Sequence, residues 1–196
     1  MSRRAEDIVS AMRSLQQAYL IGVEGVTEIW LVRHADVYDG IDYVPDPPLS
    51  PLGRKQADRL AQRLKSIEID AVYSSPLRRA LQTAASLSER VATDPRLTEA
   101  RAGYADGKME LQESPAAVIQ RMQDAVDAAV ASHPGRRIVM VSHGIAILTY
   151  LCHILLLTPG TLRLFPDFTS ISVVRVKGDR RMAGSLCDIA HLETGP

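Results

Sequence analysis

Three short segments of this chain place phosphate-handling side chains just after the ends of strand-like runs. Arg33-His34 follows Glu28-Ile29-Trp30-Leu31-Val32, Arg78 follows Ser74-Ser75-Pro76-Leu77, and His143-Gly144 follows Arg137-Ile138-Val139-Met140-Val141-Ser142. Guanidinium groups bind phosphoryl oxygens with paired, charge-assisted donors. An imidazole can also attack phosphorus, splitting a difficult displacement into two easier ones. These groups lie far apart in sequence, so the chemistry requires a fold that gathers them.

The elements around them supply such a fold. The runs before Arg33 and His143 have the length and composition of buried strands, and Ile67 to Ser74 reads as another. Ser50-Pro51, Ser75-Pro76 and Ser114-Pro115 each pair an N-cap residue with a first-turn proline. They predict helices through Leu64, over Leu77 to Arg90, and along Val118, Met122, Val126 and Val130 up to His133-Pro134-Gly135. A very apolar helix runs from Gly144 to Leu157, and Ile171 to Val176 and Arg181 to Leu186 flank a Gly178-Asp179 turn as a terminal hairpin. Strands alternating with helices predict an α/β fold, a three-layer α/β/α sandwich with a mainly parallel central sheet. In such sheets the ligand crevice lies beyond the carboxyl ends of the strands, where Arg33, His34, Arg78 and His143 all fall. The helices after Ser75 and Ser142 are expected to aim their N-termini, which favour anions, at the same place.

Taken together, the motifs resemble those of the histidine phosphatase superfamily, whose fold is phosphoglycerate-mutase-like. Leu31-Val32-Arg33-His34-Ala35 is similar to its Arg-His-Gly signature, and Leu49-Ser50-Pro51-Leu52-Gly53-Arg54-Lys55-Gln56-Ala57 to its Leu-Thr-x-x-Gly-x-x-Gln-Ala helix start. Tyr73 to Ala84 matches its Ser-Ser-Pro-x-x-Arg-Ala-x-x-Thr-Ala block. Leu97-Thr98-Glu99 with Gly103 and Asp106-Gly107 resembles its Leu-x-Glu stretch, and Val141-Ser142-His143-Gly144 its second histidine block. The resemblance covers residues 28–192 in order. It implies that His34 is the nucleophile, that Arg33, Arg78, His143 and Gly144 join it in binding the phosphoryl group, and that Glu99 is the general acid, with Asp36, Asp106 and Glu110 as alternative donors. It calls for no cofactor and no metal, because the arginines and imidazoles neutralise the phosphoryl charge.

The implied activity is hydrolysis of small phosphomonoesters through phospho-His34. The rival readings are a phosphoglycerate-type mutase and a non-catalytic phosphate-binding member. Ala102 stands where the mutases carry a tyrosine, and the stretch around 100–113 is too short for their lid. Glu99 argues against a member that has lost turnover. Ala35 replaces the usual glycine, and Val37 and Tyr38 replace a threonine-containing stretch, so one hydroxyl contact to phosphate is expected to be missing.

Composition sets the outer limits. With 196 residues, 46% of them hydrophobic, the chain can bury a full core. Lys+Arg and Asp+Glu are both 23, so no net field recruits nucleic acid or an anionic membrane, and a small phosphorylated substrate is the expected partner. Two cysteines, Cys152 and Cys187, make no disulfide framework, which points to a reducing, cytoplasmic setting. No apolar stretch reaches membrane-spanning length. The expected organisation is a helical leader over residues 1–27 and a phosphatase domain over 28–196. Ile8, Met12, Leu15 and Tyr19 give the leader an apolar face, expected to pack on the main body; a homodimer would use that helix or a sheet edge. His153 is expected to be a core residue, and His191 a structural one.

Overall fold

Side-chain alternation along two strands decides the layering of this protein. In a computed structural model that describes residues 3–37, 45–106, 108–158 and 161–193, Ile29 and Leu31 pack with Ile138 and Met140 in one core, while Val32 packs with Val139 and Val141 in a second. The period of two sends successive residues to opposite faces of one sheet, and both faces are buried.

In chain order the elements are α1 (Arg3–Ala18), β1 (Thr27–Arg33), α2 (Pro51–Leu64), β2 (Ala71–Ser74), α3 (Arg78–Ala85), β3 (Val91–Thr93), a 3-10 turn (Pro95–Leu97), β4 (Ala102–Ala105), β5 (Lys108–Leu111), α4 (Pro115–Ser132), β6 (Arg137–Ser142), α5 (Gly144–Ile154), β7 (Ile171–Lys177) and β8 (Arg180–Ala183). The central sheet has the order β3-β2-β6-β1-β7-β8. Pairing is parallel from β3 through β2 and β6 to β1, and antiparallel where β7 joins β1 and β8 joins β7. Helices α4 and α5 supply Val118, Met122, Val126, Ile147 and Leu151 to one face. The other face is covered by α2 and α3 through Leu60, Leu64, Ala80 and Ala84. The result is the expected mainly parallel α/β/α sandwich.

Register fixes what meets at the rim. Arg33 lies opposite Ser142, and Ser74 lies opposite Val141, so β1, β6 and β2 end side by side. The loops that begin at His34, His143 and Ser75 therefore start as neighbours.

Two helix starts follow the sequence closely. Ser50 Oγ accepts the Gly53 N–H at 2.8 Å and Ser114 Oγ the Ala117 N–H at 3.2 Å, each with proline in the first turn. The third differs. Helix α3 begins only at Arg78, with Leu77 at its cap and no side-chain cap bond, and it ends at Ala85, short of the expected Arg90. Ser86 Oγ bonds the Thr83 carbonyl at 2.7 Å, a local alternative to continuing the helix, and the chain then forms the edge strand β3. The segment after Ala100 is a separate antiparallel hairpin, β4–β5, with Asp106 at φ 51° in its turn. An Asp-Gly pair at that point in the sequence is a hairpin signal.

The leader does not pack as expected. Both sheet faces are already covered, and Ile8, Met12 and Leu15 of α1 and Tyr19 just beyond it are each more than half exposed. Among the described contacts its C-terminal end is the part tied down: Arg180 donates to the Gln17 and Ala18 carbonyls at 3.0 and 2.6 Å, and Leu20 is buried. His153 is likewise exposed, on the outer side of α5, while the rest of that helix from Ala146 to Cys152 is largely buried. Among the described residues, no helix is long and apolar enough to cross a membrane.

Candidate active site

His34 leaves the end of β1 with its ring almost fully buried. Its Nδ1 lies 2.8 Å from the Ala35 carbonyl, an acceptor, and its Nε2 lies 3.2 Å from Nε of Arg79, which can only donate. The two contacts assign one tautomer, with the proton on Nδ1 and the lone pair on Nε2. Burial, reinforced by Arg79 and Arg33, pushes the imidazole down to about 3, although the Ala35 carbonyl acts in the opposite sense. At neutral pH it is therefore an uncharged ring with a directed lone pair, the form a nucleophile needs. Ala35 fills the glycine position of the motif with no side-chain exposure and is not among the residues with positive φ, so its methyl is tolerated. Its N–H donates to Thr83 Oγ1 at 3.0 Å, which fixes the peptide after the nucleophile.

His143 sits beside it, with ring centroids 5.0 Å apart. It is fully buried, its Nε2 is 2.8 Å from Ser75 Oγ, and burial, followed by the proximity of the second imidazole and the charge of Arg79, holds it well below the ordinary histidine range. Ser75 thus orients the second imidazole instead of capping α3. Arg33 turns back over Phe168, with its guanidinium carbon 3.9 Å from the ring centroid, and donates to the Pro166 carbonyl at 2.7 Å. Burial lowers its pKa from the ordinary value, opposed by Glu99 and Asp167. Among the described residues, Arg33 Nε and His143 Nδ1 are buried without a partner. Leaving such an atom unsatisfied costs about 1–3 kcal/mol, which a bound anion reaching it would recover. Gly144 opens α5 next to them, and a Cβ there would fall 2.6 Å from Phe165 Cζ, so glycine lets this phenylalanine lie over the helix start.

The arginine from the Ser-Ser-Pro block is Arg79, and the expectation for Arg78 is corrected. Arg78 is exposed, and its described role is a backbone N–H donated to Asp46 at 2.9 and 3.1 Å. Arg79 and Thr83 are four residues apart, on one helix face, and that face meets the end of β1. Because α3 starts two residues beyond Pro76, the inward position falls on the second arginine. Counted strictly, Ser74-Ser75-Pro76-x-x-Arg also ends on Arg79, so the signal was present in the motif itself. Burial lowers Arg79 from the ordinary arginine value, opposed by Asp46 and Glu99.

The Glu99 carboxylate lies at the start of α5, the helix that opens after His143. Its Oε1 accepts N–H groups of Ala100 and Ala146, both at 2.9 Å, and its Oε2 accepts from Ile145 at 3.3 Å. Of the alternative donors, Asp36 is engaged by the Ser50 hydroxyl, and Asp106 and Glu110 are exposed on the β4–β5 hairpin. The two helix N-termini expected to face a ligand thus hold carboxylates of the protein itself, Glu99 on α5 and Asp46 on α3. Tyr38, which replaces part of the threonine-containing stretch, lies outside the described residues, as does Gly107. Phe165, Phe168 and the Ser75 contact to His143 were not expected here. The phenylalanines come from an irregular stretch before β7 with no periodicity to reveal its position. His191 accepts a structural place, bonded to Thr169 and Arg63.

Comparison with known proteins bears on the family and the fold. The family model for the histidine phosphatase superfamily (branch 1) matches residues 29–112 and 105–188. The chain is 32% identical over 152 residues to a Proteus mirabilis protein described as "Probable phosphoglycerate mutase GpmB", covering 61% of this chain and 71% of that one. It is 29% identical over 203 residues to phosphoserine phosphatase 1 of Hydrogenobacter thermophilus, covering 85% and 95%. Among solved structures, YhfR of Bacillus stearothermophilus superposes with a TM-score of 0.73 at 24% identity, covering 85% of this chain and all of that one, which shows a shared fold. With its motifs matched in order and its rim built from them, this chain belongs to the histidine phosphatase superfamily.

Proposed function

We propose that this protein is a metal-independent phosphatase that hydrolyses small phosphomonoesters through a phosphohistidine on His34. The observation that carries the reading is the pair of contacts on that ring, which leaves a neutral imidazole with its Nε2 lone pair facing Arg79. An entering phosphoryl oxygen takes over the Arg79 N–H, and the freed Nε2 attacks phosphorus as the ester P–O bond breaks. Glu99, arriving as the acid, gives its proton to the departing alkoxide. The resulting carboxylate then takes a proton from water, whose oxygen attacks phosphorus, breaks the P–N bond and returns His34. Arg33, Arg79 and His143 neutralise the charge spread over the transferring oxygens, the principal demand in phosphoryl transfer.

The names of relatives bring in both phosphatases and mutases. A mutase must shield its phosphoenzyme from water. Here the segment where a lid would start is a four-by-four-residue hairpin whose Ala102 and Glu110 are exposed, which supports hydrolysis. The purified protein should release phosphate from p-nitrophenyl phosphate and from O-phosphoserine, and should do so equally after EDTA treatment. Supplied with a phosphoglycerate and followed by ³¹P NMR, it should release phosphate faster than it interconverts isomers. Interconversion exceeding release assigns it to the mutases instead.

A further inference from the structure

The loop that carries Glu99 is held by one ion pair from outside the catalytic cluster. Arg121, in the middle of α4, donates through Nη1 to the carbonyls of Arg96 and Thr98, at 2.6 and 2.7 Å. Its Nε and Nη2 reach the two oxygens of Glu113, at 2.8 and 3.2 Å. Glu113 Oε2 in turn accepts the Arg101 N–H at 3.2 Å, and the Arg101 carbonyl accepts from Gln112 and, more weakly, Glu113. The carbonyl left between the two Arg121 bonds, that of Leu97, accepts from Ser142 Oγ at 2.7 Å. Each backbone carbonyl from Arg96 to Thr98 is thus fixed, and the peptide two residues beyond Glu99 is fixed from the other side.

Both members of the pair are largely buried, with side-chain exposures of 17% and 10%. The hydrogen bonds from Arg121 are the main cause that holds the Glu113 carboxyl below its ordinary range, so the pair stays ionised. Neither residue bonds to His34, His143, Arg33 or Arg79 among the described contacts. A planar guanidinium that spans two carbonyls and a bidentate carboxylate is a brace that lysine cannot copy, because lysine offers a point charge without the fork.

We infer that Arg121, locked by Glu113, is a positioning residue for the general acid: it sets the reach of Glu99 to the leaving-group oxygen and so sets which esters the site can cleave. The inference rests on the phosphatase reading above. An aryl ester such as p-nitrophenyl phosphate departs as a stable anion and needs little protonation, whereas an alkyl ester such as O-phosphoserine needs the full proton. Displacing the acid must therefore cost the alkyl ester more than the aryl one.

The test compares kcat/KM for these two esters in the full chain as wild type, Glu99→Gln, Arg121→Lys, Arg121→Ala and Glu113→Gln. Because an acid contributes roughly 10²–10⁴-fold, Glu99→Gln should lose at least about tenfold more activity on O-phosphoserine than on p-nitrophenyl phosphate. The Arg121 and Glu113 variants should shift that ratio the same way. In Glu99→Gln as background, Arg121→Lys should shift it no further. A general loss of fold or of binding lowers both esters together, so equal losses in Arg121→Lys and Glu113→Gln, or an unchanged ratio, overturn the inference. If Arg121→Ala does not fold, the two milder variants decide. A Glu99→Gln protein with an unchanged ratio overturns the assignment of Glu99 itself. A wild type that turns over neither ester overturns the phosphatase reading and this inference with it.

Discussion

Arg79 Nε donates to His34 Nε2 across 3.2 Å, so the guanidinium placed to neutralise a transferring phosphoryl group also holds the lone pair that would attack it. In the proposed mechanism the His34 lone pair is freed when an anion competes for the arginine. Asp46, 3.4 Å from Arg79 Nη1, keeps the guanidinium oriented in the meantime. That mechanism couples binding and activation through one side chain.

The exchange of roles between adjacent arginines gives the first prediction. Arg79→Ala should lower kcat/KM by about 10²–10³-fold, as for removal of a principal transition-state donor. Arg78→Ala, which keeps the backbone N–H that Asp46 uses, should stay within about twofold of wild type, a change worth less than about 0.5 kcal/mol. Steady-state kinetics on one aryl phosphate measures both, and the reverse pattern would return the role to Arg78.

Buried neutral histidines make stability depend on pH in a definite direction. His34 titrates at about 3 in the folded protein, and its ordinary value is 6.5; His143 is depressed in the same sense. Between those limits the unfolded chain binds more protons than the folded one, so stability is greatest above about pH 6.5 and falls as the pH is lowered toward 3. Urea unfolding at several pH values should show this slope. His34→Asn should flatten it by close to one proton, about 1.4 kcal/mol per pH unit at most. A pH-independent wild type between pH 4 and 6 would show that these rings ionise freely in the fold.

Gly53 tests the contact between α2 and the nucleophile loop. A Cβ on Gly53 would overlap the Asp36 carbonyl oxygen, two residues from His34, and the same carbonyl accepts the Ser50 N–H at 3.1 Å. Gly53→Ala should destabilise the protein by about 1–3 kcal/mol, the usual cost of overpacking, and lower activity on every ester alike. Thermal unfolding and kinetics of the variant measure the two effects. Wild-type stability would mean that the loop yields without cost.

Much of this was legible because it is local or periodic. The alternation of Ile29 and Leu31 against Val32 announces a strand buried on both sides, and Ser50-Pro51 and Ser114-Pro115 mark helix starts that the structure places where the sequence does. What was not legible depends on tertiary competition. Ser75 has the chemistry of a cap, but His143 takes its hydroxyl, the helix starts later, and the inward face passes from Arg78 to Arg79. The apolar face of α1 is real, yet exposure is decided by whether a sheet face remains to receive it, and none does. Phe165 and Phe168 reach Arg33 from an irregular segment where neither period applies.

The proposed mechanism forms a covalent bond between phosphorus and His34, and that bond can be trapped. The protein is mixed with p-nitrophenyl phosphate, quenched in alkali, where phosphohistidine survives, and digested for mass spectrometry. The account predicts one phosphoryl group on the peptide containing His34, located on that ring, and neither label nor turnover in His34→Asn. Steady turnover with an unlabelled His34, or an active His34→Asn protein, would contradict it.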